Sequence, residues 1–270
     1  MNNNFGKKAA EIFERIKTNK PLLHHITNFV VMNDTANLTL HVGALPVMAH
    51  AHEEMEEMVA YAGALVLNPG TLNKEWVQSM KIAGKKANKL KIPIVLDPVG
   101  AGATTYRTNT NLHFLKNLKI AVLRGNSGEI GALAGAGGKV KGVESIEGIK
   151  DPEKVAAHLA KKYKTVVAIT GKRDVISNGK DLYYVDNGDA WLSTITGTGC
   201  MSTTMVGAFC AVEKDFALAA AAALGVFGLA GEIAAKGVKG PASFKVALLD
   251  AIYNMTPKQI ASRAKINKLK

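Results

Sequence analysis

The sequence is poor in cysteine, since only Cys200 and Cys210 occur among its 270 residues. Two cysteines cannot build a disulfide framework, and they are too few for a zinc site made of cysteines. An unpaired, reduced pair of thiols is typical of a reducing compartment. We therefore expect a cytoplasmic protein that does not depend on disulfides.

Aromatic residues are also scarce, at 6% of the chain, while 34 basic residues face 22 acidic ones. The resulting net charge of +12 raises the question of nucleic-acid binding. The basic residues are spread over helical stretches such as 81–91 and 158–164, and none of the basic runs alternates with aromatics that would stack on bases. Solvated helix faces explain this charge better than a nucleic-acid surface, and the charge would also attract a phosphorylated small molecule.

A long run of large apolar side chains is missing as well. The N-terminal segment MNNNFGKK lacks the apolar core of a signal peptide. The longest apolar stretch, Phe216 to Gly231, consists mainly of alanine and glycine and ends before Glu232. We interpret it as a buried helix that packs through small residues, and we expect a soluble protein without a membrane partner.

Short apolar runs recur along the chain, each followed by polar or glycine residues and then by helical spacing. They are rich in Val, Ile and Leu and do not alternate in polarity, which is typical of strands buried on both faces of a parallel sheet. The runs are 64–67, 92–96, 120–123 and 166–169. This alternation predicts an α/β fold with helices on both faces of a mostly parallel sheet. Because no linker divides the sequence, we expect a single domain over residues 1–270.

Further elements complete the predicted outline. Helices are expected over 9–19, 71–91, 151–163, 199–212 and 215–236. The last two are rich in alanine and glycine, so they should pack closely and be largely buried. Residues 174–187 are predicted to form a β-hairpin, because the pair Asn178-Gly179 suits a type I′ turn.

Polar side chains stand at the ends of four predicted strands. In open parallel sheets, ligands bind outside the carboxyl ends of the strands. The residues at these ends are Asn68, Asp97, Arg124 with Asn126, and Thr170. Arg124 is the most informative, because an arginine directly after a buried strand requires an anionic partner. Asn68 and Asp97 each precede a proline, so either residue also admits a purely structural role in a turn.

Glu129 follows Arg124 by five residues, at the predicted start of the next helix. Near Asp97, it would help to hold a hydrated Mg²⁺ ion, directly or through water. As an isolated residue, Glu129 would instead be explained by the helix dipole, which favours acidic side chains in the first turn. Both interpretations stay open.

The segment from Thr194 to Cys200, TITGTGC, leads directly into an apolar helical run. Its glycines permit backbone N–H groups to approach an anion closely, and the N-terminus of the following helix adds positive potential. The segment is neither a P-loop nor a G-x-G-x-x-G fingerprint. It is predicted to bind a phosphoryl group.

Cys200 stands at the start of that helix, where the pKa of a thiol is expected to be lowered. Three interpretations compete: a small buried residue, a covalent nucleophile, or the base that accepts a proton from a substrate hydroxyl. A nucleophile needs a histidine partner, for which His24 and His25 are candidates, but the sequence contains no local signature of a thiol enzyme.

Amides and imidazoles are concentrated between apolar residues in the segment HHITN, residues 24–28. Such groups hydrogen-bond a polar heteroaromatic ligand, or they cap and turn the chain without any ligand. His50 and His52 complete no recognised zinc ligand set, and a solvated helix start explains them better. Met48, taken alone, reads as an ordinary core residue.

Together these motifs resemble one family. The segments PLLHHITNFVVMNDTAN, GALPVMAH, NPGTL, DPVGAGAT, RGNSGEI, AITGKRD and TGTGCMST follow one another from about residue 21 to 205. They resemble the hydroxyethylthiazole kinases, the thiamine-salvage branch of the ribokinase-like fold, and HITN together with TGTGC separates this branch from its relatives. The resemblance implies phosphorylation of the primary hydroxyl of 4-methyl-5-(2-hydroxyethyl)thiazole with ATP and Mg²⁺.

The resemblance also implies site residues. It assigns Arg124 and Thr170 to ATP, Met48, Gly197 and Asn28 to the thiazole, and Asp97 and Glu129 to Mg²⁺. Cys200 takes the position of a catalytic aspartate found in most ribokinase-like relatives. The family further implies a homotrimer with thiazole pockets at subunit interfaces. Leu45 departs from the small polar residue of many members, which would reshape the rim of the pocket.

Three alternative functions stay open at this point. A kinase of a related vitamin precursor would use the same chemistry on another alcohol. A cysteine-dependent hydrolase or acyltransferase would work without ATP or Mg²⁺. A nucleic-acid-binding protein is suggested only by the net charge of +12.

Overall fold

The computed structural model describes residues 4–135, 140–141, 144–145 and 149–269. Its helices are α1 (Asn4–Asn19), α2 (Met32–Val42), α3 (Met55–Ala60), α4 (Lys74–Leu90), α5 (Thr105–Asn117), α6 (Ser127–Ala134), α7 (Pro152–Tyr163), α8 (Thr198–Val212), α9 (Phe216–Ala234), α10 (Pro241–Tyr253) and α11 (Pro257–Arg263). Its strands are β1 (Leu22–Ile26), β2 (Leu45–Val47), β3 (Ala64–Leu67), β4 (Ile94–Leu96), β5 (Val122–Asn126), β6 (Val140–Lys141), β7 (Glu144–Ser145), β8 (Val166–Thr170), β9 (Asp174–Ser177), β10 (Leu182–Val185) and β11 (Ile266–Leu269). Short 3₁₀ turns span His52–Glu54 and Ala190–Thr194.

Nine strands form one sheet in the order β11-β10-β9-β8-β5-β4-β3-β1-β2. The six strands from β8 to β2 are parallel, whereas β9, β10 and β11 add an antiparallel extension beside β8. The strands β6 and β7 pair with each other outside this sheet. From β1 the chain moves outward to β2 and then returns to the other side of β1 as β3. Ligands of open α/β sheets bind at such a reversal of strand order.

Helices cover both faces of the sheet. One apolar layer includes residues of α1, α2, α8, α9 and α10, and the other includes residues of α3 to α7. Successive residues of β4 alternate between these layers, because Val95 packs into the first while Ile94 and Leu96 pack into the second, all fully buried. Burial on both faces explains why the strand sequences do not alternate in polarity. The predicted α/β fold with a mostly parallel sheet is confirmed.

The predicted elements recur with small shifts of their ends. The run 64–67 coincides with β3, and the runs 92–96, 120–123 and 166–169 overlap β4, β5 and β8. The five predicted helices overlap α1, α4, α7, α8 and α9. Among the described residues, α9 is the one helix long and apolar enough to cross a membrane, but 83% of its most apolar window is buried inside the protein. It is a core helix.

The hairpin predicted over 174–187 is present as β9 and β10, but the expected type I′ turn is wrong. Ser177 pairs with Leu182, so four residues connect the strands. Of these four, Gly179 alone has a positive φ, of +88°, whereas a type I′ turn requires a positive φ at both central residues. The side chain of Asn178 accepts hydrogen bonds from two backbone N–H groups of the loop and so closes a wider turn.

Candidate active site

Four of the sequence-predicted site residues meet where the parallel strands end and α8 begins. Asn28 follows β1, Asp97 follows β4, Arg124 lies near the end of β5, and Cys200 lies in the first turn of α8. The strands β1, β3, β4 and β5 are neighbours in the sheet, and the reversal of strand order falls between β1 and β3. The fold therefore brings together side chains that are far apart in the sequence.

A chain of hydrogen bonds joins the thiol to the buried carboxylate. Asn28 Nδ2 donates to Cys200 Sγ at 3.6 Å and to Asn68 Oδ1 at 2.8 Å. Asn68 Nδ2 in turn donates to Asp97 Oδ2 at 3.1 Å, and the hydroxyl of Thr203 donates to the same oxygen at 2.8 Å. Because these groups are fixed by one another, the site is organised before any ligand binds.

The two carboxylate oxygens of Asp97 are in different environments. Oδ2 accepts the two hydrogen bonds just described, whereas Oδ1 is buried and has no hydrogen-bond partner among the residues that the structure describes. Burial raises the pKa of Asp97, and the nearby charge of Arg124 opposes that effect. A buried carboxylate oxygen without a partner is costly, so Oδ1 is suited to a cation or to a donor on a ligand.

Arg124 is the third residue of β5, and its side chain reaches the start of α8. Its Nη1 lies 4.0 Å from Asp97 Oδ2, and its Nη2 donates to the hydroxyl of Thr170, the last residue of β8. Its Nε is buried and finds no partner in the described part of the chain. A Cβ at Gly199 would lie 3.0 Å from Nη1, so glycine at this position lets the guanidinium approach the helix closely. The guanidinium therefore still has N–H groups that can donate hydrogen bonds to an anion.

The N-terminus of α8 begins at Gly197, which has a φ of +90°. A Cβ there would also lie 2.8 Å from Val31 Cγ1, so both the backbone and the space require glycine. Within the described ranges, no side chain caps this helix. Backbone N–H groups of its first turn therefore stay available to an anion, with the helix dipole in support.

The pKa of Cys200 contradicts the lowering expected from its place at a helix start. Although part of the residue is accessible, burial and the charge of Asp97 raise the pKa of the thiol to about 12. Hydrogen bonds from Asn68 and Asn28 and the charge of Arg124 act in the opposite direction but do not prevail. Desolvation and a neighbouring carboxylate thus outweigh the helix dipole, and at neutral pH the group is a thiol.

The two histidine candidates do not partner this thiol. His24 Nε2 lies 3.0 Å from the carbonyl oxygen of Ala49, and His25 Nε2 lies 3.2 Å from Thr39 Oγ1. Burial lowers the pKa of His25 to about 3, so its imidazole is neutral. The hydrogen-bonded Cys–His pair that a covalent mechanism needs is absent from the residues described.

Glu129 is a helix cap in the structure, and its role toward Mg²⁺ stays a prediction. Its Oε2 accepts from the backbone N–H of Asn126 at 2.9 Å while the Asn126 side chain accepts from Glu129 N–H, a capping box at the start of α6. Its Oε1 accepts from Gly100 N–H at 3.0 Å. Burial and the charge of Asp97 raise the pKa of Glu129 to about 7. The carboxyl group is therefore a structural cap that also belongs to the electrostatics of the site.

The donor set fits a magnesium ion that is bound mostly by a nucleotide and water. Among the described residues, no group of three or more His, Cys, Asp or Glu side chains is arranged to hold a metal. Mg²⁺ commonly uses one or two carboxylates and completes its shell with phosphate oxygens and water. The unpartnered Oδ1 of Asp97, with Glu129 nearby, supplies such a minimal set.

Met48 lies at the same end of the sheet but further out. It follows β2, which is separated from β4 by β1 and β3, and it is half-buried. Met48 therefore lies closer to the strand that precedes Asn28 than to the strand that precedes Asp97.

Sequence reasoning missed one member of the site, because Thr203 was not singled out. It placed Asn68 at a strand end but left a turn role open, and the structure shows Asn68 bridging Asn28 and Asp97. The signal for Thr203 was its place three residues after Cys200, which puts both on one face of a helix. Gly70 of the NPG turn also matters, since a Cβ there would come within 2.9 Å of the Asn28 side chain.

Over most of its length, the chain matches known proteins. Residues 13–258 match the model of the Hydroxyethylthiazole kinase family. The chain is 62% identical over 261 residues to the hydroxyethylthiazole kinase of Roseiflexus sp. (strain RS-1), covering 97% of each sequence. The solved structure of the hydroxyethylthiazole kinase protein from Pyrococcus horikoshii OT3 matches with a TM-score of 0.91 at 44% identity, over 98% of this chain and 100% of that one. A ribokinase-like superfamily protein from Enterococcus faecalis V583 matches with a TM-score of 0.66 at 14% identity, over 92% and 95% of the two chains, and supports the fold alone.

Proposed function

The chain belongs to the hydroxyethylthiazole kinase family, and we propose that it transfers the γ-phosphoryl group of ATP to the primary hydroxyl of 4-methyl-5-(2-hydroxyethyl)thiazole in thiamine salvage. The observation that carries this proposal is the convergence of Asp97, Arg124 and Cys200 on the uncapped start of α8. Phosphoryl transfer depends on positioning and on stabilisation of negative charge, which a guanidinium and a helix N-terminus supply.

On the donor side, Arg124 would bind the phosphates of ATP. Its buried Nε and its bond to Thr170 support this role, because Thr170 holds the guanidinium in place while donor capacity is kept. The backbone N–H groups from Thr198 to Cys200 would receive the negative charge of the transferred group. All of these groups are fixed by the fold before the nucleotide binds.

Magnesium would be held by Asp97 Oδ1 and, through water, by Glu129, whose own oxygens already accept backbone hydrogen bonds. The ion supplies charge neutralisation on the phosphate oxygens when it is bound. Arg124 and Asp97 lie close enough for the guanidinium to compensate the carboxylate in the absence of a nucleotide.

On the acceptor side, the thiazole would lie near Asn28, Gly197 and Met48, with its hydroxyl beside Cys200. A thiol with a pKa of about 12 already holds its proton at neutral pH and cannot take up a second one. Cys200 would therefore orient the alcohol as a thiol, and it would accept the alcohol's proton only in its minor thiolate form, which becomes a thiol as the new phosphate bond forms. The amide of Asn28, which donates to Sγ, would stabilise the negative charge of that thiolate form.

The assembly we propose is a homotrimer in the cytoplasm, with thiazole pockets at the subunit interfaces. The number three is what the family resemblance implies, and an apolar surface on the side of β2, the edge strand of the sheet, supports association between copies of the chain. Leu45 on β2 is 46% exposed, and Leu40 on α2 and Val246 and Tyr253 on the neighbouring α10 are more than half exposed. An unpaired edge strand is a template for pairing with another chain, and exposed apolar patches mark sites of protein–protein contact. The mass of the particle in solution, measured by light scattering, tests this assembly.

A coupled assay of ATP consumption tests the reaction. The purified chain is given ATP and Mg²⁺ with the thiazole alcohol, and then with a small panel of other vitamin precursors that carry a primary hydroxyl. We expect the highest kcat/KM with the thiazole and no turnover when ATP or the metal is omitted. A higher kcat/KM with another alcohol would reassign the substrate within the kinase class, and turnover without ATP would reject a kinase.

A further inference from the structure

Thr203 is a fully buried hydroxyl on α8, one helical turn after Cys200. Its Oγ1 lies 2.8 Å from Asp97 Oδ2 and 3.3 Å from the carbonyl oxygen of Gly199. A hydroxyl has a single hydrogen to donate, and a charged acceptor at the shorter distance takes it. The hydrogen bond of Thr203 is therefore directed at the carboxylate.

This bond falls on the oxygen of Asp97 that is already engaged. Oδ2 receives Thr203 and Asn68, and the guanidinium of Arg124 lies 4.0 Å from it, whereas Oδ1 is buried and is left without a partner by every residue described. Two donors on one oxygen, one on the residue that follows β3 and one on α8, fix the rotation of the carboxylate plane. Without the hydroxyl of Thr203, the carboxylate of Asp97 would be free to rotate, and either of its oxygens could accept the hydrogen bond from Asn68.

We propose that Thr203 is a positioning residue that, together with Asn68, engages Oδ2 of Asp97 and so leaves Oδ1 as the oxygen presented to a magnesium–nucleotide complex. The proposal deepens the proposed function and rests on it for the magnesium–nucleotide complex. The groups that orient a metal-binding carboxylate commonly affect metal affinity by roughly 10- to 100-fold when they are removed.

The next residue along α8 provides a matched control. Thr204 is also fully buried, and its hydroxyl donates to the carbonyl oxygen of Cys200 at 3.2 Å, four residues earlier, which is the position in the helix that Gly199 has relative to Thr203. Among the described hydrogen bonds, that of Thr204 reaches no carboxylate. The variants Thr203→Val and Thr204→Val thus remove the same group from neighbouring buried positions, and only the first removes a donor to Asp97.

The test measures binding of ADP to the full-length chain by calorimetry, with Mg²⁺ and with EDTA. The ratio of the two dissociation constants gives the metal-dependent gain in affinity without any turnover. We expect Thr203→Val to reduce this gain about tenfold, Thr203→Ser to keep it within about twofold because the hydroxyl is retained, and Thr204→Val to keep the wild-type value. In the kinase assay, Thr203→Val should raise the half-saturating Mg²⁺ concentration by a similar factor and leave the KM for the alcohol unchanged.

Three results would overturn the proposal: a wild-type gain in Thr203→Val, an equal loss in Thr203→Ser, or an equal loss in Thr204→Val. A wild-type protein whose ADP affinity does not depend on Mg²⁺ would overturn it as well. If Thr203→Val does not fold, Thr203→Ala replaces it, since it adds no methyl group in place of the hydroxyl. A wild-type chain that shows the metal-dependent gain but does not phosphorylate the thiazole would reject the proposed substrate and leave the role of Thr203 standing.

Discussion

The thiol of Cys200 is expected to react with alkylating reagents far more slowly than an ordinary cysteine. Burial and Asp97 raise its pKa from 9.0 to about 12. Only the thiolate reacts, and at pH 7.5 the thiolate fraction falls from about 3% at the ordinary pKa to about 0.003% at the raised one. The smaller thiolate population lowers the rate constant about 1,000-fold, and the higher nucleophilicity of a more basic thiolate offsets about 15- to 30-fold of this. The rate constant should therefore lie roughly 30- to 60-fold below that of a free thiol, before any steric protection.

The assay follows alkylation by iodoacetamide between pH 7 and 10.5, with the mass of the intact chain as readout and glutathione as the reference thiol. Cys210 is fully buried and burial raises its pKa as well, so Cys200→Ser identifies which label belongs to Cys200. We expect the rate at Cys200 to rise tenfold per pH unit over the whole range without a plateau.

Whether the pKa of Cys200 is raised is decided by the presence or absence of a plateau and not by the absolute rate. A buried thiol with an ordinary pKa would also react slowly, but its rate would level off near pH 9 because its thiolate fraction would saturate. A plateau below pH 10, or a rate at pH 7.5 within tenfold of glutathione, would refute the argument that desolvation and Asp97 outweigh the helix dipole at Cys200.

The same pKa limits what Cys200 contributes to catalysis. A general base typically accelerates a reaction by about 10²- to 10⁴-fold. Because Cys200 acts as a base only through its minor thiolate form, its contribution should fall near the lower end of that range. Cys200→Ala should therefore be slowed and remain active. Cys200→Asp, which restores the carboxylate of most ribokinase-like relatives, should retain or increase kcat. Complete inactivity of a folded Cys200→Asp variant would count against a base at this position.

Three further variants test the donor site, the electrostatics and the packing. Arg124→Ala should raise the KM for ATP at least tenfold, because a buried guanidinium beside the helix start is lost; an unchanged KM would remove Arg124 from the nucleotide site. Burial raises the pKa of Asp174 from 3.8 to about 7, so the folded state binds its proton more tightly and stability falls as the pH rises from about 4 to 7. The Asp174→Asn variant should therefore gain up to about 4 kcal/mol in unfolding free energy at pH 8 and nothing at pH 4. Urea titration at the two pH values measures this difference. An equal gain at both would contradict a raised pKa of Asp174 in the folded state. Gly228→Ala should lower the unfolding free energy by about 3 kcal/mol or more, because the new Cβ would overlap the carbonyl oxygen of Asn187. Gly225→Ala on the same helix should cost less, because its Cβ would meet the side chain of Ile266 at 3.0 Å.

The parallel strands were predictable because their sequences carry the signature of burial on both faces. The first strand of the sheet escaped this reasoning. β1 has the sequence LLHHI, and its two histidines break the apolar run, yet both are fully buried. Burial lowers the pKa of His25 to about 3, so a residue that is polar by type packs as a neutral ring in the core. Residue type alone does not reveal the protonation state, so this strand, which carries Asn28 at its end, could not be recognised from its composition.

The strand-end rule predicted that Asn68, Asp97, Arg124 and Thr170 lie at one edge of the sheet, because parallel strands present their carboxyl ends on the same side. It could not predict how these groups pair, since each pairing depends on distances between elements. The pKa of Cys200 illustrates this limit. The helix start, which is visible in the sequence, lowers the pKa of a thiol, whereas burial and a carboxylate 103 positions earlier in the chain raise it. Both effects act through space, and the raising effect prevails because α8 begins directly above the end of β4, where Thr203 and Asn68 hold Asp97 in place. The direction in which the pKa of Cys200 shifts therefore depends on how the helix packs on the sheet, which the sequence around Cys200 does not show.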